Sequence, residues 1–364
     1  MTATDIDSAA EMTTKESAAE RRARVFALIT RLDLYLNLVA LGWLTPVLKI
    51  AAGEPASHHL KELWRGLVLP LLGIALFLGL WAQAAPMVNT SLGAIPGPLQ
   101  VWEQVENLYA DHQREREKAA AFYARQDKRN DNLIAEGKPD QVKYRSYTGK
   151  PTYLDQIVTS LETVAMGFLI ATLVAVPLGI LCGLSPGVSA ALNPLIQIFK
   201  PVSPLAWLPL VTMVVSALMS SSDGFFAKSF IVSAVTVTLC SLWPTLMNTA
   251  YGVSSIDKDL MNVGRVLKLS WSSKIFKVVL PSALPLIFTG LRLSLGVGWM
   301  VLIAAEMLAQ NPGLGKFVWD EFQNGSSSSL AKIMVAVLTI GLIGVLLDRM
   351  MAALQTMFTY SATR

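Results

Sequence analysis

Apolar runs of about 20 residues recur along this chain and constrain its fold more than any other feature. An α-helix rises about 1.5 Å per residue, so a run of that length crosses the ~30 Å of hydrocarbon in a bilayer. Six stretches meet this requirement: Leu67–Val88, Leu161–Leu184, Leu195–Met219, Phe230–Leu246, Leu284–Leu308 and Leu330–Met351. The sequence therefore predicts an all-α membrane protein with about six transmembrane helices.

Composition supports lipid as the solvent of this chain. Only 15% of its residues are charged, whereas soluble domains carry about 25%. The N-terminal stretch is polar and has neither an apolar core nor a small-residue cleavage site, so we expect the transmembrane helices to direct insertion. Cys182 and Cys240 lie in apolar stretches and are interpreted as buried thiols. The net charge of +4 is accounted for by membrane topology, and nothing indicates nucleic-acid binding.

The third apolar stretch carries three prolines, Pro201, Pro204 and Pro209. Proline removes a backbone donor from a helix, and membranes tolerate such breaks only where protein or water satisfies the freed groups. We therefore predict that this span is bent or broken.

The N-terminal part, residues 1–65, is predicted to be cytoplasmic. A polar tail to about residue 24 has the composition of a disordered segment. The apolar run Val25–Ile50 is interrupted by Arg31, Asp33 and Lys49, which favours a helix lying at the interface. A span over Leu34–Leu48 stays open as an alternative. The remaining segments are a first span at 66–88, a charged insertion at 89–152, a helical core at 153–355 and a cytoplasmic tail at 356–364.

The insertion is rich in charges of alternating sign from Glu103 to Asp140. This pattern indicates solvated helices outside the membrane, serving either as a spacer or as a docking surface for a soluble partner. Basic residues concentrate in the loop 251–280, while the loop 310–329 has few. Because short basic loops stay inside, we expect both termini in the cytoplasm and the insertion outside.

A polar, basic segment, Asp257–Pro285, lies between two of the apolar stretches. Aspartates at its start favour a helix N-terminus there. Val263, Val266 and Leu267 follow the spacing i, i+3, i+4 and form one apolar stripe. Such a helix fits a hydrophobic groove of a partner, or it lies on anionic lipid through Arg265 and Lys268.

This segment resembles the cytoplasmic coupling loop of binding-protein-dependent ABC importer permeases. That loop reads Glu-Ala-Ala, three residues, Gly, nine residues, Ile-x-Leu-Pro. Asn262, Val263 and Gly264 occupy the first three positions here, Lys268 replaces the glycine, and residues 278–281 close the motif. Further similar stretches are Pro201–Leu210, Phe288–Leu293, Ala304–Leu308 and Phe317–Phe322. The resemblance covers roughly residues 153 to 355 and is nearest to the nitrate-importer branch.

The resemblance implies a permease subunit that imports a small anion, most simply nitrate or nitrite, by alternating access in the inner membrane. It implies cytoplasmic ATPase subunits that use ATP and Mg, a periplasmic solute-binding protein and a second permease copy, expected as a homodimer. The chain itself is expected to bind no cofactor or metal and to catalyse no reaction. Sulfonate, taurine, bicarbonate and cyanate remain alternative substrates. The residues expected to contact the ATPase, within the loop 257–281, are Asp259, Asn262, Val263, Gly264, Arg265, Leu267, Lys268, Ser270, Leu280 and Pro281.

Ionisable residues at membrane depth are expensive and mark candidate functional positions. Arg292, Gly296, Trp299, Ile303 and Glu306 follow steps of four and three and share one helical stripe in the fifth span. Arg292 near mid-membrane is expected either to attract an oxyanion or to pair within the protein, for example with a carboxylate such as that of Glu162. Glu306, near the other end of the span, either gates the path or caps a helix. Trp207 in the proline-rich span is a further path candidate, with packing as its alternative.

Enzyme motifs are missing from the sequence. No Gly-x-x-x-x-Gly-Lys-Ser/Thr loop is present, so ATP hydrolysis must come from a partner. No serine nucleophile motif, zinc-ligand spacing or Rossmann fingerprint is found either. The rival from another class is an ion-coupled secondary transporter, which usually shows hydropathy repeats and paired intramembrane carboxylates. Neither is seen in this sequence.

Overall fold

The computed structural model describes residues 42, 44–52, 55–90, 93–219, 227–326 and 328–362, apart from the side chains of 56–58 and 360–362. The predicted tail to residue 24 and most of the interfacial helix over Val25–Ile50 lie outside this part. The chain divides into two compact units, Met1–Trp81 with Leu346–Arg364, and Ala82–Val345.

The first unit begins with α1 (Leu44–Ala51) and α2 (Ala56–Leu63). A π-helical turn, Trp64–Val68, connects α2 to α3 (Leu69–Ala84), whose last three residues belong to the second unit. The side chains of residues 69–80 are all exposed, and they are predominantly apolar. A helix that is apolar all round suits lipid rather than water, which agrees with the first predicted span. The C-terminal end of α13 completes this unit.

The second unit contains the remaining elements. They are a short hairpin of β1 (Asn89–Thr90) and antiparallel β2 (Gly93–Ala94), then α4 (Pro98–Ala135), α5 (Tyr153–Leu184), α6 (Pro186–Phe199), α7 (Pro204–Leu218), α8 (Lys228–Ser254), α9 (Lys258–Val266), α10 (Trp271–Lys274), α11 (Leu280–Ala309), α12 (Leu314–Asn324) and most of α13 (Ser329–Ala362). Short 3-10 turns occupy Ala85–Met87 and Pro139–Gln141, and a π-helical turn, Ile275–Val279, joins α10 to α11.

The insertion is one long helix with a return segment along it. Helix α4 has 38 residues, and its Pro98 stands at the first position, where a missing N–H costs nothing. The return segment binds back to it, since Tyr147 donates its hydroxyl to Glu115 at 2.6 Å and the Asn130 amide donates to the Lys143 carbonyl at 3.2 Å. The prediction of helical structure in this insertion is confirmed.

Helices α5, α8 and α11 form the core of the second unit. Small residues recur every fourth position along α5, at Gly167, Ala171, Ala175, Gly179 and Gly183. They let α8 approach closely: the Thr238 hydroxyl donates to the Gly167 carbonyl at 3.1 Å, and a Cβ at Gly179 would lie 2.8 Å from the Leu246 carbonyl oxygen. Small residues at such a spacing favour close helix packing in membranes. The four-residue period of this stripe is visible in the sequence, but the stripe was not among the predicted features.

The proline-rich third span is broken, as predicted. Helices α6 and α7 meet at 101° across residues 200–203. The Ser203 hydroxyl accepts from the Leu205 N–H at 3.3 Å and caps α7. In the part of the chain that the structure describes, five helices are long and apolar enough to cross a membrane, or six if the bent pair counts as one span. The all-α fold with about six spans is therefore confirmed.

Candidate functional site

The loop between α8 and α11 folds as the capping residues predict. Asp257 is the N-cap of α9, and its carboxylate accepts from the Asp259 N–H at 2.9 Å. Ser270 caps α10 in the same way, since its hydroxyl accepts from the Ser273 N–H at 3.3 Å. Negative charge and a capping oxygen satisfy the first free N–H groups of a helix. Two short helices are thereby fixed between the two spans.

A left-handed turn at Lys268 joins these two helices. Its φ is 45°, and the Leu269 N–H bonds back to the Gly264 carbonyl at 3.1 Å. Helices commonly end in this way, with glycine favoured at the left-handed position. The coupling-loop pattern has glycine at this position, so the structure supplies a backbone reason for that glycine. Here Lys268 adopts the strained conformation instead.

Six large apolar side chains of this loop are exposed, of which Leu260 is the least so. We call the other five, each more than half exposed, the coupling surface: Val263, Val266, Leu267, Trp271 and Phe276. Val266 is 80% exposed and Phe276 is 69% exposed. The predicted apolar stripe of Val263, Val266 and Leu267 is thus present, and its side chains are exposed on the surface of the subunit. The predicted contact residues Asp259, Asn262, Arg265, Lys268 and Ser270 are also exposed.

Gly264 is placed differently from the other expected ATPase contacts of α9. It is the buried residue of that helix in the single subunit. A Cβ there would lie 3.8 Å from Leu269 Cδ1 and 4.0 Å from Val278 Cγ2. Gly264 therefore packs against its own loop. Leu280 and Pro281 are half-buried at the start of α11 and belong to the base of the loop.

The loop is packed onto the core helices. Ile180 of α5, Val253 of α8 and Ala283 of α11 form a buried apolar cluster, against which Met261 and Ile275 of the loop pack. Protein interiors are close-packed and transmit displacement. The loop is therefore packed against α5, α8 and α11 together.

The predicted stripe on α11 crosses two environments. Arg292 and Gly296 are exposed, and a Cβ at Gly296 would meet nothing within 4 Å. Trp299 is buried, and its indole N–H donates to the Ile340 carbonyl at 3.0 Å. Glu306 is fully buried. The stripe thus combines an open half with a half that is packed inside the subunit.

Trp207 lies on a different helix from that stripe. It is half-buried on α7, and its ring centroid is 5.7 Å from that of Phe199 on α6. Among the described residues, no three or more His, Cys, Asp or Glu side chains are grouped so as to hold a metal ion.

Comparisons with known proteins agree with these features. Residues 175–359 match the family model described as binding-protein-dependent transport system inner membrane component. The bicarbonate transport system permease protein CmpB of Synechococcus elongatus is 37% identical over 299 residues, which cover 80% of this chain and 91% of that protein. The nitrate import permease protein NrtB of Leptolyngbya laminosa is 40% identical over 193 residues, covering 53% of this chain and 64% of that protein.

A third relative carries a different substrate name. The taurine transport system permease protein TauC of Escherichia coli is 32% identical over 228 residues, covering 61% of this chain and 78% of that protein. The family match includes α8, the loop with the coupling surface, and α11. This chain belongs to the family of binding-protein-dependent transport system inner membrane components, as a permease of the nitrate, bicarbonate and taurine group of ABC importers.

Proposed function

We propose that this chain imports nitrate across the inner membrane, as a pair of identical permease subunits driven by cytoplasmic ATPases. The observation that carries the proposal is the coupling surface. Exposed apolar side chains on a short loop between two spans are unfavourable in water, at about 25 cal/mol per Å². A partner that covers them gains this free energy. The ATPase is the partner that the family implies.

Coupling follows from how the loop is anchored. When ATP closes the ATPases, they push on the coupling surface of each permease. The buried cluster beneath it carries this push to α5, α8 and α11. These helices rock from an inward-open to an outward-open arrangement, accept the anion from a periplasmic binding protein, and return to release it inside. The chain supplies a lever and a path but no chemistry.

The path is proposed along the exposed half of the α11 stripe. Arg292 lies about 11 residues, or ~16 Å, from Pro281, near mid-membrane. Its planar guanidinium donates charge-assisted hydrogen bonds that suit a small oxyanion. The open space beside Gly296 leaves room for the ion or for the second permease copy.

Bicarbonate is the second candidate, and a specific observation favours it. The bicarbonate permease relative aligns with 80% of this chain, whereas the nitrate permease relative aligns with 53% at slightly higher identity. Nitrate and bicarbonate are both small, planar, singly charged oxyanions. A site built from Arg292 does not separate them by charge, so the binding protein is expected to set the choice.

The test is uptake into vesicles that carry this chain with its ATPase and its binding protein. Labelled nitrate and labelled bicarbonate are offered separately, each with the other anion and taurine as competitors. ATP-dependent nitrate accumulation that resists both competitors supports the proposal. Accumulation of bicarbonate alone keeps the permease and changes the substrate. Uptake of nitrate that persists without ATP contradicts the ATP-driven mechanism.

A further inference from the structure

A buried carboxylate stands at the corner between α11 and α12. Helix α11 ends in left-handed Gln310, with φ of 56°, and α12 begins at Leu314. One turn before this corner, Glu306 is fully buried, although a carboxylate at membrane depth is expensive. Its burial therefore depends on the groups around it.

Those groups include the first amides of α12. Glu306 Oε2 accepts from the Gly315 N–H at 3.0 Å, and the Ser160 hydroxyl lies 2.8 Å from the same oxygen. Ser160 in turn accepts from the Leu314 N–H at 2.9 Å. The first N–H groups of a helix have no partner within it, and negative charge there is favourable. Glu306 and Ser160 thus satisfy the start of α12 together.

The same corner is tied to two further helices. The Asn311 amide, on a buried side chain, donates to the Thr163 hydroxyl of α5 at 3.2 Å. Its oxygen accepts from the Ser229 hydroxyl of α8 at 3.4 Å. Hydrogen bonds at this corner therefore connect α5, α8, α11 and the start of α12.

The corner is closely packed around this network. A Cβ at Gly313 would collide with the Glu306 carboxylate, and one at Gly315 would collide with the Ile303 carbonyl. Close packing transmits displacement between the elements that share it. We therefore expect the helix ends at this corner to move together.

We propose that Glu306 is a positioning residue that locks the adjoining ends of α5, α8, α11 and α12 into one rigid block, which moves as a unit during transport. The anion then passes along the edges of the block and not through the corner. This inference rests on the proposed alternating-access transport, because only a moving permease needs such a block. Glu306 acts through α12 and does not touch the anion.

Cross-linking tests whether the corner opens. The substitutions Ser229→Cys and Asn311→Cys are combined in a background that lacks Cys182 and Cys240. The two new thiols are then joined by a short bifunctional reagent that forms a disulfide with each of them, so that the link can be reduced. A rigid block predicts that the joined protein keeps the uptake rate of the reduced protein within about twofold. Uptake that is lost on joining and restored on reduction would overturn the proposal. If this pair does not fold, Thr163→Cys with Asn311→Cys tests the same corner, and the single-cysteine variants are controls.

Substitution separates positioning from substrate contact. Glu306→Ala and Glu306→Gln are compared with Glu117→Gln, which changes an exposed carboxylate on α4. We expect Glu306→Ala to speed hydrogen exchange of the amides at 314–317 by about tenfold or more. In Glu306→Ala we also expect a lower Vmax for uptake, while the KM for the anion stays within about twofold of the wild-type value, because Glu306 does not touch the anion.

The opposite pattern contradicts the proposal: KM for the anion rises and the exchange at 314–317 is unchanged. Glu306 would then lie in the anion path. Hydrogen exchange is measured without any transport. A wild type that accumulates no anion would therefore refute the proposed function, while the exchange result would still decide the role of Glu306 in holding α12.

Discussion

The two ends of α11 are built in opposite ways. The loop before α11 bears the coupling surface, where the apolar side chains of Val266 and Phe276 are exposed. At the far end, the corner into α12 hides the charged Glu306 completely. Each arrangement is costly by itself, through exposed apolar area in one case and a desolvated carboxylate in the other.

The two ends of α11 differ in which groups offset these free-energy costs. Glu306 is compensated within the chain, by Ser160 and the Gly315 N–H. The coupling surface has no such compensation in the described residues, and under the proposed function its cost is recovered when the ATPase binds. One end of α11 is therefore satisfied within the single subunit, and the other is proposed to be completed by a partner.

The largest effect is expected at the corner. Gly315→Ala places a Cβ against the rigid Ile303 carbonyl, so overpacking should cost about 3 kcal/mol or more and reduce the yield of folded protein. Gly341→Ala on α13 is the matched control, since its Cβ would meet nothing within 4 Å. Thermal unfolding in detergent measures both. Equal melting temperatures for the two variants would contradict a tightly packed corner.

At the coupling surface we expect lost assembly without lost folding. Val266→Asp puts a charge into the proposed apolar contact and should weaken ATPase binding by about 100-fold. Val266→Leu, which keeps the surface apolar, should bind normally. Co-purification with the ATPase and the melting temperature are measured together. If Val266→Asp assembles as well as Val266→Leu, the coupling surface does not contact the ATPase.

Arg292 tests the exposed half of the α11 stripe. Arg292→Gln removes the positive charge and should lower the anion uptake rate by about tenfold, with Arg292→Lys intermediate. Thr289→Ala, one turn away on the same helix, is the control. Uptake by reconstituted vesicles is the measurement. An unchanged rate in Arg292→Gln would assign this arginine to packing within the membrane.

Lys268 offers a stabilising change. Its left-handed backbone costs a non-glycine residue roughly 1–2 kcal/mol, so Lys268→Gly should stabilise the loop by about 1 kcal/mol. Hydrogen exchange of the amides at 267–270 should slow accordingly. Lys258→Gly, at the first position of α9, should give no such gain. Faster exchange in Lys268→Gly would show that the lysine side chain holds the turn.

The smallest effect is expected in the insertion. The Tyr147 hydroxyl and the Lys118 ammonium lower the pKa of Glu115. A lowered folded-state pKa means that this stabilisation is present above the unfolded pKa and is lost as the pH falls through the folded value. On acidification, residues 142–150 should lose their protection from hydrogen exchange at a higher pH in Tyr147→Phe than in the wild type. Hydrogen exchange against pH measures it, and identical profiles would contradict the role of this bond.

Sequence reasoning reached the features that depend on local properties. The length of the apolar runs fixed the spans, and three prolines indicated the break between α6 and α7. The aspartates before α9 and the i, i+3, i+4 stripe indicated a short helix with an exposed apolar face. The coupling-loop resemblance led to the family that the comparisons show. The substrate path through Arg292 stays a prediction.

Other features appeared only once the helices were packed. The burial of Gly264 was not predicted, because it depends on how Leu269 folds back after the left-handed turn. The stripe on α11 was treated as one face, yet its two halves have different neighbours. The close contact of α5 and α8 at Gly179 likewise requires knowing which helices are adjacent.

Apolar length, proline and capping residues act over a few neighbouring positions, so the amino-acid sequence by itself determined that this protein crosses the membrane and presents a short helix between two spans. Only the tertiary structure determines that Glu306 is buried and hydrogen-bonded within the subunit. Its partner Ser160 is 146 residues away along the chain, and no local pattern brings two such groups together. Burial and hydrogen bonding are properties of packed neighbours, which is why the same carboxylate could be read from sequence as a gate or a cap.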